Sequence, residues 1–415
     1  MEVKNGYKQT DFGVIPMDWE VIKLGDLFEF RNGLNKEKKY FGYGTPIINY
    51  MDVFRSRGIY SRQIHGKVFL SRSEINAFHA KIGDLFFTRT SETVDEIGIS
   101  SVLLDDSIDT VFSGFVLRGR EKLVKLNLEF KKYCFTEKSI RNQIISTASY
   151  TTRALTNGRL LSQILIKVPP LSEQAAIANA LSDMDALISQ TEKLIEKKKS
   201  IKQGAMQELL KPKAGWVTKK LGDVIGYQNG KALEQHFNSS DGYKVISIGN
   251  YSETGNYVDN SCYISREFKS TIKKYLLNKD ELTMILNDKT SVGNIIGKVL
   301  LIDKNEEYVF NQRTMRIIPN ISILPKFLYF ILNSELTHKQ IILKAKPGTQ
   351  IYINTNDVLD IELRMPKSTK DQSLISEILT DMDTDLDIIN KKLTKLKQQK
   401  QGMMQALLTG KIRLV

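Results

Sequence analysis

The chain has 415 residues, of which 41% are hydrophobic and 26% charged, so its composition is globular and its length suffices for two or more folded units. Two cysteines, Cys134 and Cys262, exclude a disulfide framework and a zinc site of four cysteines, and the four scattered histidines lack metal-ligand spacing. The polar residues 1–6 are unlike a signal peptide and no apolar run could cross a bilayer, so we expect a cytoplasmic protein with no membrane partner and no metal site.

The net charge of +13 favours a polyanionic partner, because each Lys or Arg near a phosphate releases condensed counterions. The positive excess lies mostly in two long segments, while the first short segment between them is neutral. Charge alone does not identify the partner, so its identity has to be inferred from the residue pattern.

The chain repeats itself once. Its segment at 19–26, which contains Trp and Leu-Gly-Asp, recurs at 216–223, and an Asn-Gly pair follows each copy. Further along, Asp-Met-Asp at 183–185 recurs at 381–383 at nearly the same offset. The repeat is far longer than a solenoid unit, so it indicates duplication of a two-part unit. The predicted segments are, in order, 1–168, 169–212, 213–366 and 367–415.

The two large segments have the pattern of mixed α/β domains, because short strand-like runs alternate with Gly, Asn and Ser. We predict strands at 47–51, 84–87 and 111–114 in the first, with counterparts at 245–249, 280–284 and 309–312 in the second. An amphipathic helix is predicted at 126–133 and at 325–332.

Each short segment is predicted to form one long helix, since its apolar residues advance by alternating steps of four and three. Pro169 and Pro170 end the preceding element, and Ser172 can cap the first helix. The predicted seam consists of Ile177, Leu181, Met184, Ile188 and Ile195, and of Ile375, Leu379, Met382, Leu386, Ile389, Leu393 and Leu396. The two helices are each other's obvious partners; the alternative is a core helix packed on its own domain.

Two features of these helices need interpretation. The Lys-rich stretches at 193–202 and 391–400 are interpreted as solvated helix faces in preference to DNA-binding arms. Lys198 and Lys202 interrupt the first seam.

Gly204 and Gly402 stand at the same repeat position, although glycine inside a helix costs about 1 kcal/mol. They indicate close helix approach, a kink, or a docking point for another subunit.

Polar loops differ between the two large segments while the frame around them is shared. Such loops occur at 89–91 and 148–153 in the first segment and at 287–289 and 346–350 in the second. One scaffold with two sets of polar side chains suits the reading of two short DNA sequences, because base edges differ in their donor and acceptor patterns. The predicted DNA-facing residues are Arg89, Thr90, Ser91, Thr152, Arg153, Asn287, Asp288, Lys289, Thr349, Gln350 and Tyr352. The alternative for each is an ordinary exposed loop residue.

The chain resembles the specificity subunits of type I restriction-modification systems, and the resemblance spans its whole length. The segments that carry it are 6–10, 13–16, 19–26, 169–174, 206–210, 311–313 and 404–408. The second helix begins differently, with Lys-Ser-Thr-Lys-Asp-Gln at 367–372 in place of Pro-Pro-Leu-Ser-Glu-Gln.

The resemblance implies α/β (α+β) target recognition domains in tandem duplicate, separated by two long helices that form an antiparallel coiled coil with pseudo-twofold symmetry. Each domain would grip one half of a bipartite site in double-stranded DNA. Two methyltransferase subunits, and restriction subunits through them, would bind the helices. Cofactors are then expected on the partners alone, as S-adenosylmethionine, ATP and Mg²⁺.

Catalytic motifs are absent from the sequence. It has no Asn-Pro-Pro-Tyr or Asp-Pro-Pro-Tyr, and the glycine-rich run at 293–299 is one residue short of a P-loop and ends in Val. We therefore expect a non-catalytic specificity subunit. Two alternatives remain: a stand-alone sequence-specific DNA-binding regulator, and a self-sufficient restriction-methylation enzyme.

Overall fold

The chain divides into two compact units in a computed structural model that describes residues 5–10, 13–106, 109–150 and 152–414. Unit 1 comprises residues 1–192 and 392–415, and unit 2 comprises residues 193–391. Each unit combines one large α/β segment with parts of both short segments. The compact units therefore differ from the four consecutive segments that the repeat defines.

Unit 1 is built from short strands. They are β1 (Tyr7–Thr10), β2 (Gly13–Pro16), β3 (Glu20–Lys23), β4 (Phe28–Asn32), β5 (Phe41–Ile48), β6 (Gly58–Ile59), β7 (Lys67–Val68), β8 (Leu85–Thr88), β9 (Thr90–Ser91), β10 (Ser100–Leu103), β11 (Val111–Phe112), β12 (Val116–Glu121), β13 (Ser149–Tyr150), β14 (Ala154–Leu155) and β15 (Leu165–Val168). The largest sheet has the order β4-β12-β8-β10-β6. All four residues of β8 are buried, which explains their continuous apolar run.

The helices of unit 1 are short except for the last, which continues into unit 2. They are α1 (Leu24–Leu27), α2 (Tyr50–Arg55), α3 (Arg72–Phe78), α4 (Lys131–Cys134), α5 (Lys138–Thr147), α6 (Gly158–Ser162) and α7 (Leu171–Leu209). A capping box begins α3: the Ser71 side chain accepts from the Glu74 N–H, and Glu74 accepts from the Ser71 N–H.

Unit 2 repeats the plan of unit 1. Its strands are β16 (Val217–Lys220), β17 (Ile225–Asn229), β18 (Phe237–Asn238), β19 (Tyr243–Ile246), β20 (Tyr263–Ile264), β21 (Leu282–Ile285), β22 (Val299–Leu301), β23 (Tyr308–Phe310), β24 (Thr314–Pro319) and β25 (Glu362–Met365). Its helices are α8 (Leu221–Val224), α9 (Lys269–Ile272), α10 (Pro325–Leu332), α11 (Glu335–Lys344), α12 (Thr355–Leu359) and α13 (Thr369–Leu407).

The pairing of the strands confirms the duplication. The order β4-β12-β8-β10 in unit 1 recurs as β17-β24-β21-β22 in unit 2. The antiparallel pair β3 and β15 recurs as β16 and β25, and the parallel pair β5 and β11 recurs as β19 and β23.

The strand predicted at 111–114 ends at Phe112, and two further element predictions for unit 1 are also wrong at their ends. The strand predicted at 47–51 ends at Ile48, because a capping box begins α2: the Asn49 N–H donates to Asp52 over 2.7 Å. The helix predicted at 126–133 is reduced to α4, because the Asn127 side chain accepts from the N–H groups of Glu129 and Phe130 and stabilises a turn. The helix predicted at 325–332 is confirmed as α10.

The predicted seam of the long helices is shielded from solvent. Its members are all buried or half-buried: Ile177, Leu181, Met184, Ile188, Ile195, Ile375, Leu379, Met382, Leu386, Ile389, Leu393 and Leu396. Off the seam, Leu194 is 43% exposed and Leu374 is 57% exposed. The first turns also pack on their own domain, since Ile177 and Leu181 belong to the core of unit 1.

Ion pairs show the relative direction of the two long helices in unit 1. Asp185 of α7 pairs with Lys400 of α13, and Glu192 of α7 pairs with Lys397 over 2.7 Å. Residue numbers rise along one helix as they fall along the other. Within this unit the helices are therefore antiparallel.

The same arrangement holds in unit 2. Lys198 lies 2.9 Å from Asp385, and Lys202 pairs with Asp383. The side chain of Lys202 is only 15% exposed, and that of its repeat counterpart Lys400 is 14% exposed. Each of these two lysines fills a seam position opposite an aspartate, so the solvated-face interpretation applies only to the lysines off the seam.

Gly204 and Gly402 are exposed, and a Cβ atom at either position would have nothing within 4 Å. Close helix approach is therefore the wrong interpretation of these glycines. Neither helix is interrupted there, since α7 and α13 continue past them.

A buried glutamine anchors the start of each long helix. The amide of Gln174 donates to the carbonyls of Lys125 and Pro169, and its oxygen accepts from the Asn127 N–H. Gln372 makes the corresponding contacts in unit 2. This role explains why the glutamine recurs in the repeat. Ser172, predicted as the cap, is instead the second residue of α7.

Candidate nucleic-acid interface

In unit 1 the structure brings the two predicted polar loops together. Strand β14 lies between β9 and β13, and the register pairs Thr90 with Leu155. The Thr156 N–H donates to the Arg89 carbonyl over 3.0 Å. Arg89, Thr90 and the hairpin tip with Thr152 and Arg153 therefore belong to one cluster. Thr151 of the same loop lies outside the described residues.

In unit 2 the equivalent loops meet in the same way. Tyr352 forms β-bridges with both Asn287 and Lys346. The Asp288 N–H donates to the Ile351 carbonyl over 2.9 Å. These bonds are the counterparts of those in unit 1, so one backbone frame presents both clusters.

Most of the predicted DNA-facing side chains are accessible. Those of Thr152, Arg153, Lys289, Thr349, Gln350 and Tyr352 are exposed, and those of Arg89, Thr90 and Asn287 are half-buried. The Arg153 side chain is 63% exposed and has Glu92 at 3.8 Å. Arg89 is partly engaged within the unit, because it donates to the Gly114 carbonyl over 3.4 Å.

Two of the predicted residues are buried, and the prediction of a DNA-facing side chain is revised for both. Ser91 is 4% exposed and accepts a hydrogen bond from the Thr93 N–H. Asp288 is also 4% exposed, and its carboxylate accepts from the N–H groups of Thr290 and Ile295. Each side chain stabilises its own loop through these hydrogen bonds. It is therefore not accessible to DNA.

A turn beside each cluster was not among the predicted DNA-facing loops, although its copy in unit 2 contains the segment 311–313 that carries the family resemblance. It spans 113–116 in unit 1 and 311–314 in unit 2, and it joins β11 to β12 and β23 to β24. Its tip residues are Phe115, which is 64% exposed, and Arg313, which is also exposed. The repeated Asn-Gly pair is the signal that could have found it. A Cβ atom at the glycine of each pair would clash with this turn.

In unit 2 the carboxylate of Glu234 stabilises this turn through hydrogen bonds. Glu234 accepts from the side-chain amides of Asn311, at 2.8 Å, and Gln312, at 2.7 Å. Burial acts to raise the pKa of Glu234, but these hydrogen bonds and those from the backbone outweigh it, so the pKa is lowered. The carboxylate is therefore ionised at neutral pH and cannot donate.

The family described as "Type I restriction modification DNA specificity domain" matches twice, over residues 16–203 and 213–398. The chain belongs to this family. The two matches fall on the two halves of the repeat.

Relatives of this specificity family cover the chain almost completely. The MjaVIII specificity subunit of a type I restriction enzyme from Methanocaldococcus jannaschii is 25% identical, over 98% of this chain and 97% of that protein. The S subunit of a type I restriction-modification system from M. genitalium is similar in fold, with 16% identity, a TM-score of 0.56 and 98% of each chain covered.

A second solved structure comes from work on complex assembly and conformational transition of the type I R-M system. It has a TM-score of 0.63 and 13% identity, and it covers 96% of this chain and 99% of that chain. Both structures support the fold of the specificity family for the whole chain.

The part of the chain that the structure describes contains no group of three His, Cys, Asp or Glu side chains placed to hold a metal ion. No helix among the described residues is both long and apolar enough to span a membrane.

Proposed function

We propose that this chain is the DNA-recognition subunit of a type I restriction-modification complex and that it has no catalytic activity of its own. The observation that carries the proposal is the pair of loop clusters, which share one backbone frame and differ in side chains. Arg89, Thr90 and Arg153 stand in one cluster, and Asn287 and Gln350 stand in the other. Each unit reads one half of a bipartite site, because unlike polar side chains recognise unlike base edges.

The partners follow from the same proposal. Double-stranded DNA is favoured by the charge of +13, and two methyltransferase subunits are favoured by the duplicated long helices. Restriction subunits join through the methyltransferases. S-adenosylmethionine, ATP and Mg²⁺ belong to those partners, and this chain contributes recognition and spacing.

The test is reconstitution with the methyltransferase encoded beside this gene. The pure chain is expected to methylate and cut nothing, whereas the mixture methylates a motif of two short unlike sequences around an unread spacer. Methyl transfer by the pure chain would contradict the proposal. Sequence-specific binding that the methyltransferase neither requires nor converts into methylation would support a stand-alone regulator.

A further inference from the structure

The turn beside each cluster is held rigidly in both units. A Cβ atom on Gly33 would lie 2.1 Å from the Ser113 carbonyl oxygen, and one on Gly230 would lie 1.9 Å from that of Asn311. Only glycine permits so close an approach. The backbone of the turn is therefore pressed against a fixed neighbour, and its tip side chain projects from a preorganised base.

Backbone hydrogen bonds join this turn to the loop clusters. The Arg89 N–H donates to the Phe115 carbonyl over 3.1 Å, and the Leu286 N–H donates to the Arg313 carbonyl over 2.8 Å. Leu286 directly precedes Asn287 of the second cluster. The tip residues thus occupy equivalent places at the edge of the two clusters.

Arg313 has two further marks of a functional residue. Its φ of 65° lies in the left-handed region, where a non-glycine side chain is disfavoured and persists only when the surroundings fix it. Its guanidinium donates to the Gln350 side chain over 3.3 Å and is otherwise exposed. The planar donor fork is thus presented beside a residue already predicted to face DNA.

Phe115 stands in the equivalent place in unit 1. An aromatic side chain that is 64% exposed on a rigid turn loses the benefit of burial in the free chain. It regains that benefit against an apolar surface, and the thymine methyl group offers one in the major groove.

We propose that Arg313 and Phe115 are specificity-determining residues, one in each half-site. Arg313 donates two hydrogen bonds to O6 and N7 of a guanine, and Phe115 contacts the methyl group of a thymine. The inference rests on the proposed function, since it assigns individual bases to its two units.

The experiment uses the complex of this chain with its methyltransferase. Mapping of methylated bases in the host defines the motif, and binding is then measured on duplexes in which one base is altered at one group. Replacing the guanine by 7-deazaguanine removes the N7 acceptor, and replacing thymine by deoxyuridine removes only the methyl group. Each substitution is tested with the wild type, Arg313→Ala and Phe115→Ala.

Arg313→Ala is expected to weaken binding to the unmodified site by about 10- to 100-fold and to become insensitive to the 7-deazaguanine at one position. Phe115→Ala is expected to become insensitive to deoxyuridine in the other half-site only. Arg313→Lys should recover only part of the binding and of the 7-deazaguanine sensitivity that Arg313→Ala loses, because its ammonium can donate to O6 or N7 but lacks the planar fork.

Arg364→Ala is the matched control, since Arg364 is an exposed arginine on β25 of the same unit. It should leave base discrimination unchanged. Equal weakening by Arg313→Ala on every duplex, or a half-site without guanine, overturns the assignment of Arg313. A wild-type complex that methylates no bipartite motif would instead overturn the proposed function itself. Thermal unfolding of each variant separates these outcomes from misfolding.

Discussion

Glu173 shows how single residues hold unit 1 together. Its side chain is fully buried, and its carboxylate accepts from the Trp19 indole N–H over 2.8 Å. Arg413, near the end of the chain, donates to both carboxylate oxygens over 2.7 and 2.8 Å. A bidentate arginine is the donor that best compensates a desolvated carboxylate.

Replacing Arg413 by Ala is expected to lower the free energy of unfolding of unit 1 by about 3 kcal/mol, because a buried carboxylate is left without its cation. The measurement is the unfolding midpoint in urea and on heating. The control is Arg72→Ala, which removes an arginine that is 69% exposed from its pair with Asp109. It should cost less than about 1 kcal/mol. Equal effects of the two changes would show that the Glu173 contact contributes little.

Arg153 carries the matching prediction for recognition. Changing Arg153 to Ala should weaken binding, or relax base discrimination, in one half-site only. The binding free energy should change by about 1 to 3 kcal/mol if the guanidinium makes a bidentate base contact. Binding to duplexes altered in either half measures this. Arg159→Ala, an exposed arginine of α6, is the control. Equal loss on both sets of duplexes would indicate a phosphate contact.

At the scale of elements, the long helices combine an apolar seam with charged pairs inside it. Lys202 and Lys400 occupy equivalent positions and face Asp383 and Asp185. Each ammonium also lies near an aromatic ring, at 5.8 Å from Phe330 for Lys202 and 5.7 Å from Tyr133 for Lys400. Long lysine stems can pack on the seam while the head group stays paired.

The seam predicts a sharp contrast between two leucines of α7. Leu181 is fully buried, and Leu181→Ala should destabilise unit 1 by about 2 to 5 kcal/mol through lost burial and a cavity. Leu194 is 43% exposed, and Leu194→Ala should change the unfolding free energy by less than about 0.5 kcal/mol. Urea unfolding monitored by circular dichroism measures both. Similar losses would mean that the seam does not determine helix packing.

At the scale of the whole molecule, α13 and α7 both run from one unit into the other, and α7 has 39 residues. At 1.5 Å per residue it is roughly 58 Å long, which exceeds one ~34 Å turn of DNA. If the units read separate half-sites, the helices act as a ruler for the spacer between them.

Deleting seven residues from each long helix, 189–195 and 390–396, keeps the seam in register. It shortens each helix by about 10 Å and should shorten the spacer by about three base pairs. The bases that are read should stay the same. Inserting four residues after Ser189 in α7 alone should lengthen the spacer or abolish binding. Mapping of methylated bases reports the spacer, and an unchanged spacer or a continuous motif would contradict the ruler.

The sequence by itself determined the duplication, the two long helices and the seam. These features depend on local periodicity and on a repeat that can be followed along the chain, so no tertiary contact is needed to find them. It also placed the loops around Arg153 and Gln350, because turn-forming residues mark loops directly.

The tertiary structure alone decided which of those residues are accessible and what supports them. Ser91 and Asp288 are buried by contacts that no residue pattern displays. The turn with Arg313 is defined by a distant glycine, and the Glu173 carboxylate meets an arginine that lies 240 positions away in the chain. Burial and hydrogen bonding between distant segments arise only when the chain folds, which is why sequence periodicity could not reveal them.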